Sequence, residues 1–461
     1  MAAKRAISSS GKKGVLCGRF SGNEQEGNVS GKLNIERSLA LFEQAEQIIP
    51  GGSQTNSKRP GIYAPGAFPI YAERAKGCRV WDVDGNEYVD YVMALGPITL
   101  GYCYEPVDAA IRAQLEKGII YGLLHELEVE AAQRIVEMVP CAEMVRFLKG
   151  GAEVTSAAAR IARAYTGKEL ILNAGYRGWS DTWAAQVEPP KGRGVPECLR
   201  ALVKPFPCDD LNALRDLMER YRDHVALVFV DVVSATAAPK EVIQGMRALC
   251  DEFGVLLAFD EIVTGFRLAP GGAQEYYGVT PDLATFAKGI ANGMPLGAVC
   301  GRREVMKIAK DLQFTVTYGG ECLSLAAVAA CLKVFQEEPV CEHLWRQGEA
   351  LMQGINALGK KHDVPFWCTG LAPMSAPDFH YEDPGVNTDV WTLFLQETAK
   401  RGVLIRRSGL LFTTYSHTDS DISKSLTAVD KALAIIHTAV SEGSVKEQLL
   451  TGAVQEGFRR F

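Results

Sequence analysis

The 461-residue chain has no apolar run of about 18 or more residues, so a membrane-spanning helix is not expected and the reading is of a soluble protein. It has no long basic stripe; with a net charge of −6 and a pI near 5.8, nucleic acid is not an expected partner. The twelve cysteines contain no Cys-x-x-Cys pair and the seven histidines no zinc spacing. A reduced, cytoplasmic setting is therefore expected rather than a disulfide framework or a metal site. There is no internal repeat or low-complexity tract, which excludes a solenoid. The first 23 residues hold no acid, but they hold Lys4, Arg5, Lys12, Lys13, Arg19 and three consecutive serines. Lacking the continuous apolar segment of a secretory signal, this stretch reads as a flexible arm, with an organelle transit peptide as the alternative.

What is present points to an α/β protein. A hydrophobic content of 47% is enough for a large core, and the length alone corresponds to about three domain-sized units. From Asn34 to Ile48, apolar residues recur at helical spacing (Leu39, Leu41, Phe42, Ala45, Ile48) until Pro50-Gly51-Gly52 stops the run. Arg79 to Tyr91 reads as two short strands around an Asp-Gly turn. From about residue 105, helices and strands alternate, as in a mostly parallel sheet with helical crossovers. Candidate strands are Met144 to Leu148, Leu170 to Asn173, Ala226 to Val230, Val255 to Asp260, Leu283 to Ala287 and Gly297 to Cys300.

Two of these strands carry the chemistry. The apolar run Val255 to Phe259 ends in Asp260, whose carboxylate should emerge at the carboxyl end of a buried strand, where open α/β sheets bind ligands. Thr285-Phe286-Ala287-Lys288-Gly289 places an amine just after the next short apolar segment, 28 residues further on, a spacing that fits one strand–helix–strand excursion. An acid and an amine thus share one sheet edge.

Asp260-Glu261 followed by Lys288-Gly289, in a chain that matches from about Ile48 to Asp419, resembles the class III, fold type I aminotransferases that use pyridoxal 5′-phosphate (PLP). The branch resembled is the glutamate-1-semialdehyde 2,1-aminomutase-like one. The resemblance implies a mostly parallel central sheet with flanking helices and a smaller α+β domain built from both chain ends. It divides the chain into a flexible arm (1–33), an N-terminal helix, substrate loop and hairpin (34–90), a large PLP-binding domain (91–335) and a C-terminal small domain (336–461). It also implies a homodimer with a shared active site.

The site residues follow from the same resemblance. Lys288 would hold PLP covalently and then move protons, and Asp260 would pair with the pyridine nitrogen. Ile262, two strand positions on, would pack on one ring face and Tyr176 on the other. The phosphate would sit on Gly150-Gly151-Ala152-Glu153-Val154 at a helix start expected near Thr155, with Gly151 and Ala152 as the named contacts. Thr317 would reach the phosphate from the neighbouring subunit. Here the chain departs from the family, which usually places hydroxyl residues on either side of that glycine; Gly150 and Ala152 offer backbone donors only. A second departure is Arg177 where relatives usually read Tyr-His-Gly. Its charge is expected near the phosphate or a substrate acid, with a solvent-facing arginine as the alternative. A third is Asp231-Val232 where relatives usually end a strand with Glu-Pro. Arg267 is expected in a structural ion pair.

On the substrate side, Thr55 and Arg59 lie in a polar loop, Gly51 to Arg59, that reads either as a substrate cover or as a solvated turn. Arg406 and Arg407 follow the strand-like run Gly402 to Ile405, where only one of two neighbours can point inward. Leu95 stands where the aminomutase usually has an aromatic, and Leu410, Leu411 and Phe412 stand where it carries a gating glutamate. The expected activity is therefore amino transfer from an amine or amino-acid donor to a carbonyl acceptor. Intramolecular amino transfer of the glutamate-1-semialdehyde aminomutase type is the alternative, and a non-catalytic PLP-binding protein the rival from another class.

Overall fold

A computed structural model describes residues 33–187, 191–232, 238–407 and 409–450. The arm expected over 1–33 lies almost wholly outside them. The first helix, Glu36–Ile48, ends where the sequence places its stop; Gly51 and Gly52 take φ of 70° and 66°. A Cβ on Gly52 would stand 2.4 Å from the Phe42 ring, so only glycine lets the chain turn back this closely.

Three antiparallel strands follow: β1 (Ala72–Lys76), β2 (Arg79–Asp82) and β3 (Glu87–Asp90). The turn between the last two is held by Asp82, whose carboxylate accepts from the N–H groups of Asp84 (3.0 Å) and Asn86 (2.8 Å) and from the Tyr88 hydroxyl (2.9 Å).

The central sheet uses β4 (Met144–Leu148), β5 (Leu170–Ala174), β6 (Val203–Pro205), β7 (Val225–Val230), β8 (Leu256–Asp260), β9 (Leu283–Phe286) and β10 (Gly297–Gly301). Their spatial order is β4-β10-β9-β8-β7-β5-β6. Neighbours from β9 to β6 pair in parallel, and only β10 runs against both of its partners. Every residue of β5, β7, β8 and β9 is buried, which is why these strands read as continuous apolar runs: helices cover both faces.

The remaining strands are β11 (Phe366–Thr369), β12 (Met374–Phe379), β13 (Val403–Leu404) and β14 (Leu411–Phe412). β11, β12 and β14 form a small sheet beside an aromatic cluster, with the Phe366 and Phe379 rings stacked at 4.3 Å and Trp391 and Phe394 edge-on to Phe379. β13 instead pairs in parallel with β3, so the N-terminal sheet is completed by a strand from the C-terminal region.

All six expected central strands are present, with ends shifted by one residue at most. β1, β6, β11 and β12 were not anticipated. The helix expected to start near Thr155 starts at Gly151 and runs to Thr166.

Candidate functional site

Because β4, β5, β7, β8 and β9 share one direction, the loops leaving their carboxyl ends gather at one edge of the sheet. There, one cavity of ≈ 630 Å³ is lined by Lys288, Asp260, Ile262, Tyr176, Gly151 and Ala152, and also by Arg177. Six cofactor residues anticipated from sequence thus meet in one place.

Asp260 ends β8 and is 6% exposed. Its Oδ1 accepts the Ile262 N–H at 3.0 Å, which turns the chain and sends the Ile262 side chain towards the helix Gly151–Thr166. A Cβ on Gly151 would stand 3.0 Å from Ile262 Cδ1, so glycine is what lets the helix start approach. Lys288 lies two residues past β9 with a φ of 50°. A lysine in the left-handed region costs on the order of 1–2 kcal/mol, and such local strain collects at functional positions. The short turn Lys288–Ala291 is closed by Asn292, whose side-chain oxygen accepts from the N–H groups of Thr99 (3.1 Å) and Leu100 (3.0 Å).

The helix Gly151–Thr166 aims its N-terminus into the cavity. Its first N–H groups, those of Gly151 and Ala152, have no acceptor one turn back within the helix and carry the positive end of its dipole. Glu153 fixes the approach by accepting from the N–H groups of Lys149 (2.8 Å) and Gly150 (3.0 Å). At Gly150 a Cβ would meet nothing within 4 Å, so there is open space beside these donors. An amine, a buried carboxylate, a helix N-terminus and apolar cover at Ile262 are the groups that an aldehyde, a ring nitrogen, a phosphate and an aromatic ring require. The donor set fits PLP.

The solvent-facing alternative for Arg177 is corrected: its side chain is fully buried, and the residue lines the cavity. Nη1 donates to the Tyr176 carbonyl (2.8 Å) and to Asp260 Oδ2 (3.2 Å), and Nη2 donates to the carbonyls of Phe229 (3.1 Å) and Ala174. Arg267 is also corrected. It is buried, but no carboxylate among the described residues pairs with it. It donates to the carbonyls of Val263, Thr413 and Gly96 and to Thr99 Oγ1, and burial brings its guanidinium down to about 10.

Thr317, Thr55, Arg59, Arg406 and Arg407 do not line the cavity. Thr317 is exposed on the turn before Glu321. The Thr55 N–H donates to Ser53 Oγ (3.2 Å), Arg59 packs over Gly51, Arg406 lies along Gly409, and Arg407 donates to Thr388 Oγ1 (3.1 Å). Conversely, Lys149 lines the cavity and was not anticipated. Its ammonium pairs with Glu321 at 2.9 Å. Burial raises the Glu321 carboxyl, yet hydrogen bonds from Ser324 and Lys149 outweigh it and hold the group below its usual value. Its place directly before Gly150-Gly151 was the available signal. Asp231, flagged in the sequence as the residue after a strand, also lines the cavity together with the 80%-exposed Trp179.

Comparisons with known proteins agree with this geometry. The model of the class-III aminotransferase family matches residues 62–433. A glutamate-1-semialdehyde 2,1-aminomutase of Syntrophobacter fumaroxidans is 37% identical over 425 residues, covering 87% of this chain and 98% of its own. A 3-aminobutyryl-CoA aminotransferase of Cloacimonas acidaminovorans is 33% identical over 411 residues, covering 87% and 98%. Among solved structures, the FumI protein of Sphingopyxis sp. MTA144, determined with PLP, superposes with a TM-score of 0.83 at 30% identity, covering 88% of this chain and 97% of its own.

Proposed function

The chain belongs to the class-III aminotransferase family, enzymes that work with PLP, and from that premise we propose that it moves an amino group from an amine or amino-acid donor to a separate carbonyl acceptor, with Lys288 as the catalytic amine. PLP, when bound, supplies the electron sink that stabilises the carbanion left when a substrate C–H bond gives up its proton. Lys288 would hold the cofactor covalently, and its Nζ, once freed by the donor's amine, would move the proton from the substrate carbon, serving first as base and then as acid. Asp260 would accept the ring N–H and keep that nitrogen protonated. Ile262 and Tyr176 would cover the two ring faces. The N–H groups of Gly151 and Ala152 would hold the phosphate, and in a homodimer the partner subunit's Thr317, exposed in the single chain, would add a hydroxyl. The same reading places the enzyme in the cytoplasm.

The observation that carries this reading is the placement of Lys288 and Asp260 on adjacent parallel strand ends, opening into one cavity with a helix N-terminus. Transfer to a separate acceptor is favoured over the intramolecular reaction by the residues in the region where the aminomutase carries its gating glutamate. Phe412, in the region where a gating carboxylate is expected, is 3% exposed and packs so closely on Gly96 that a Cβ there would stand 2.9 Å from its ring. Leu410, Leu411 and Phe412 supply no ionisable group there.

The test is a single-turnover reaction of the PLP-loaded protein with a panel of amines and amino acids and no acceptor. One equivalent of carbonyl product per Lys288 supports the proposal and identifies the donor. No carbonyl product, together with isomerisation of glutamate 1-semialdehyde, would establish the aminomutase reaction instead.

A further inference from the structure

Asp260 is held from two sides. Its Oδ1 accepts the Ile262 N–H at 3.0 Å and its Oδ2 accepts Arg177 Nη1 at 3.2 Å. The guanidinium is itself immobilised: three main-chain carbonyls accept from it, and the Phe229 ring lies 4.7 Å from its carbon. The two glycines around it explain how it got there. Gly175 and Gly178 take φ of 102° and 122°, which turns the arginine inward and leaves Tyr176 at the cavity. A Cβ on Gly178 would stand 2.5 Å from Ala152 Cβ, and one on Gly175 2.6 Å from Asp231 Cβ.

The guanidinium is a rigid planar fork of donors, so it bonds Asp260 and the three carbonyls in one fixed geometry. Buried beside a carboxylate, it favours the ionised form of that carboxylate. It also takes up part of the oxygen's accepting capacity and puts a fixed positive charge behind the group that Asp260 serves. The other ionisable side chains lining the cavity are Asp231, Lys288, Lys149, Glu153 and Tyr176. Of these, Lys149 is neutralised by Glu321. Glu261 faces away, accepting from Thr264 and from the N–H groups of Ala273 and Gln274.

We infer that Arg177 is a positioning residue that locks Asp260 in one ionised orientation and thereby lowers the proton affinity of the ring nitrogen that Asp260 faces. The inference rests on the proposed pairing of Asp260 with that nitrogen. Its consequence is a weaker electron sink than an unclamped carboxylate would give, tuned by Arg177 through Asp260.

The experiment loads wild-type protein, Arg177→Gln, Arg177→His and Asp260→Asn with PLP carrying ¹⁵N in the ring, and follows the ¹⁵N chemical shift as pH is raised. Arg177→His is read above pH 7.5, where a free imidazole is neutral, and serves if Arg177→Gln does not fold. Removing the fixed charge should raise the midpoint of nitrogen deprotonation by roughly one unit or more. An unchanged midpoint in both neutral variants, with Asp260→Asn still shifting the nitrogen, would overturn the role of Arg177 and leave the cofactor assignment standing. An unchanged nitrogen in Asp260→Asn would overturn the pairing itself, and this inference with it.

Discussion

Lys288 sits in a backbone conformation that costs energy, in a turn followed by Asn292, whose side chain ties that turn to residues 99–101. Removing its amine should abolish the part of catalysis that depends on a positioned base. Lys288→Ala is expected to lower kcat by about 10⁴-fold or more and to abolish the visible band of covalently held PLP, with the fold retained by circular dichroism. A second residue sets acid stability without touching the site. His417 is fully buried, stacked on Tyr91 at 4.8 Å, and its Nδ1 accepts the Thr414 N–H at 3.0 Å. Burial, only partly offset by Asp421, pushes it from 6.5 down to about 4. The unfolded chain therefore takes up this proton first as pH falls. The stabilisation is complete above about pH 6.5 and is lost progressively down to the folded value near 4. Between pH 7.5 and pH 5 that amounts to about 2 kcal/mol, so urea denaturation of His417→Asn should show a pH dependence smaller by about that amount. Asp260 and Lys288 were legible because an apolar run that ends in a charged residue fixes where the side chain emerges. Arg177 was not, because the direction of a long side chain in a loop depends on two glycine dihedrals that no spacing reveals.

The functional elements are the strand ends and one helix start. The six central strands could be read from sequence because burial on both faces makes them uniformly apolar; β6, Val203–Pro205, is too short and carries Lys204 and Pro205, so it has no such signature. The start of the helix Gly151–Thr166 was placed late for a related reason: Gly150-Gly151 reads as loop, whereas Gly150 is the residue just before the first turn, with φ −147° and ψ 161°. That conformation suits any residue and is the one serine prefers at a helix N-terminus. Since a side chain there would meet nothing within 4 Å, Gly150→Ser should fit and place a hydroxyl beside the phosphate donors. One hydrogen bond to a charged oxygen contributes about 1.5–3 kcal/mol, so PLP should bind roughly ten- to a hundred-fold more tightly. Titration of the cofactor-free protein by intrinsic fluorescence would read the change, and an unaltered affinity would mean that the phosphate does not lie against Gly150.

For the molecule as a whole, one surface segment leaves large apolar side chains in the open. Leu123 and Leu124 are 85% and 90% exposed, Val129 is 68% exposed, and Ile119, Ile120 and Tyr121 are also open. The Cys322 N–H donates to the Ile119 carbonyl at 2.8 Å, which ties this segment to the stretch that carries Thr317 and the 60%-exposed Tyr318. An apolar surface of this kind is costly to leave in water, as at interfaces. If a second copy covers it, the same contact sets the partner subunit's Thr317 against the phosphate, so association and cofactor binding become one equilibrium. Placing carboxylates in the patch separates the two readings of that surface. Leu123→Asp with Leu124→Asp should give a monomer by light scattering, with unchanged helix content, because both side chains stand in solvent in the single chain. It should also weaken PLP binding by about ten-fold or more, the effect of losing one hydroxyl on a charged oxygen. A monomer that kept wild-type affinity would mean that Thr317 takes no part in the site. A wild-type protein already monomeric at micromolar concentration would remove the shared site altogether and leave the patch to another partner.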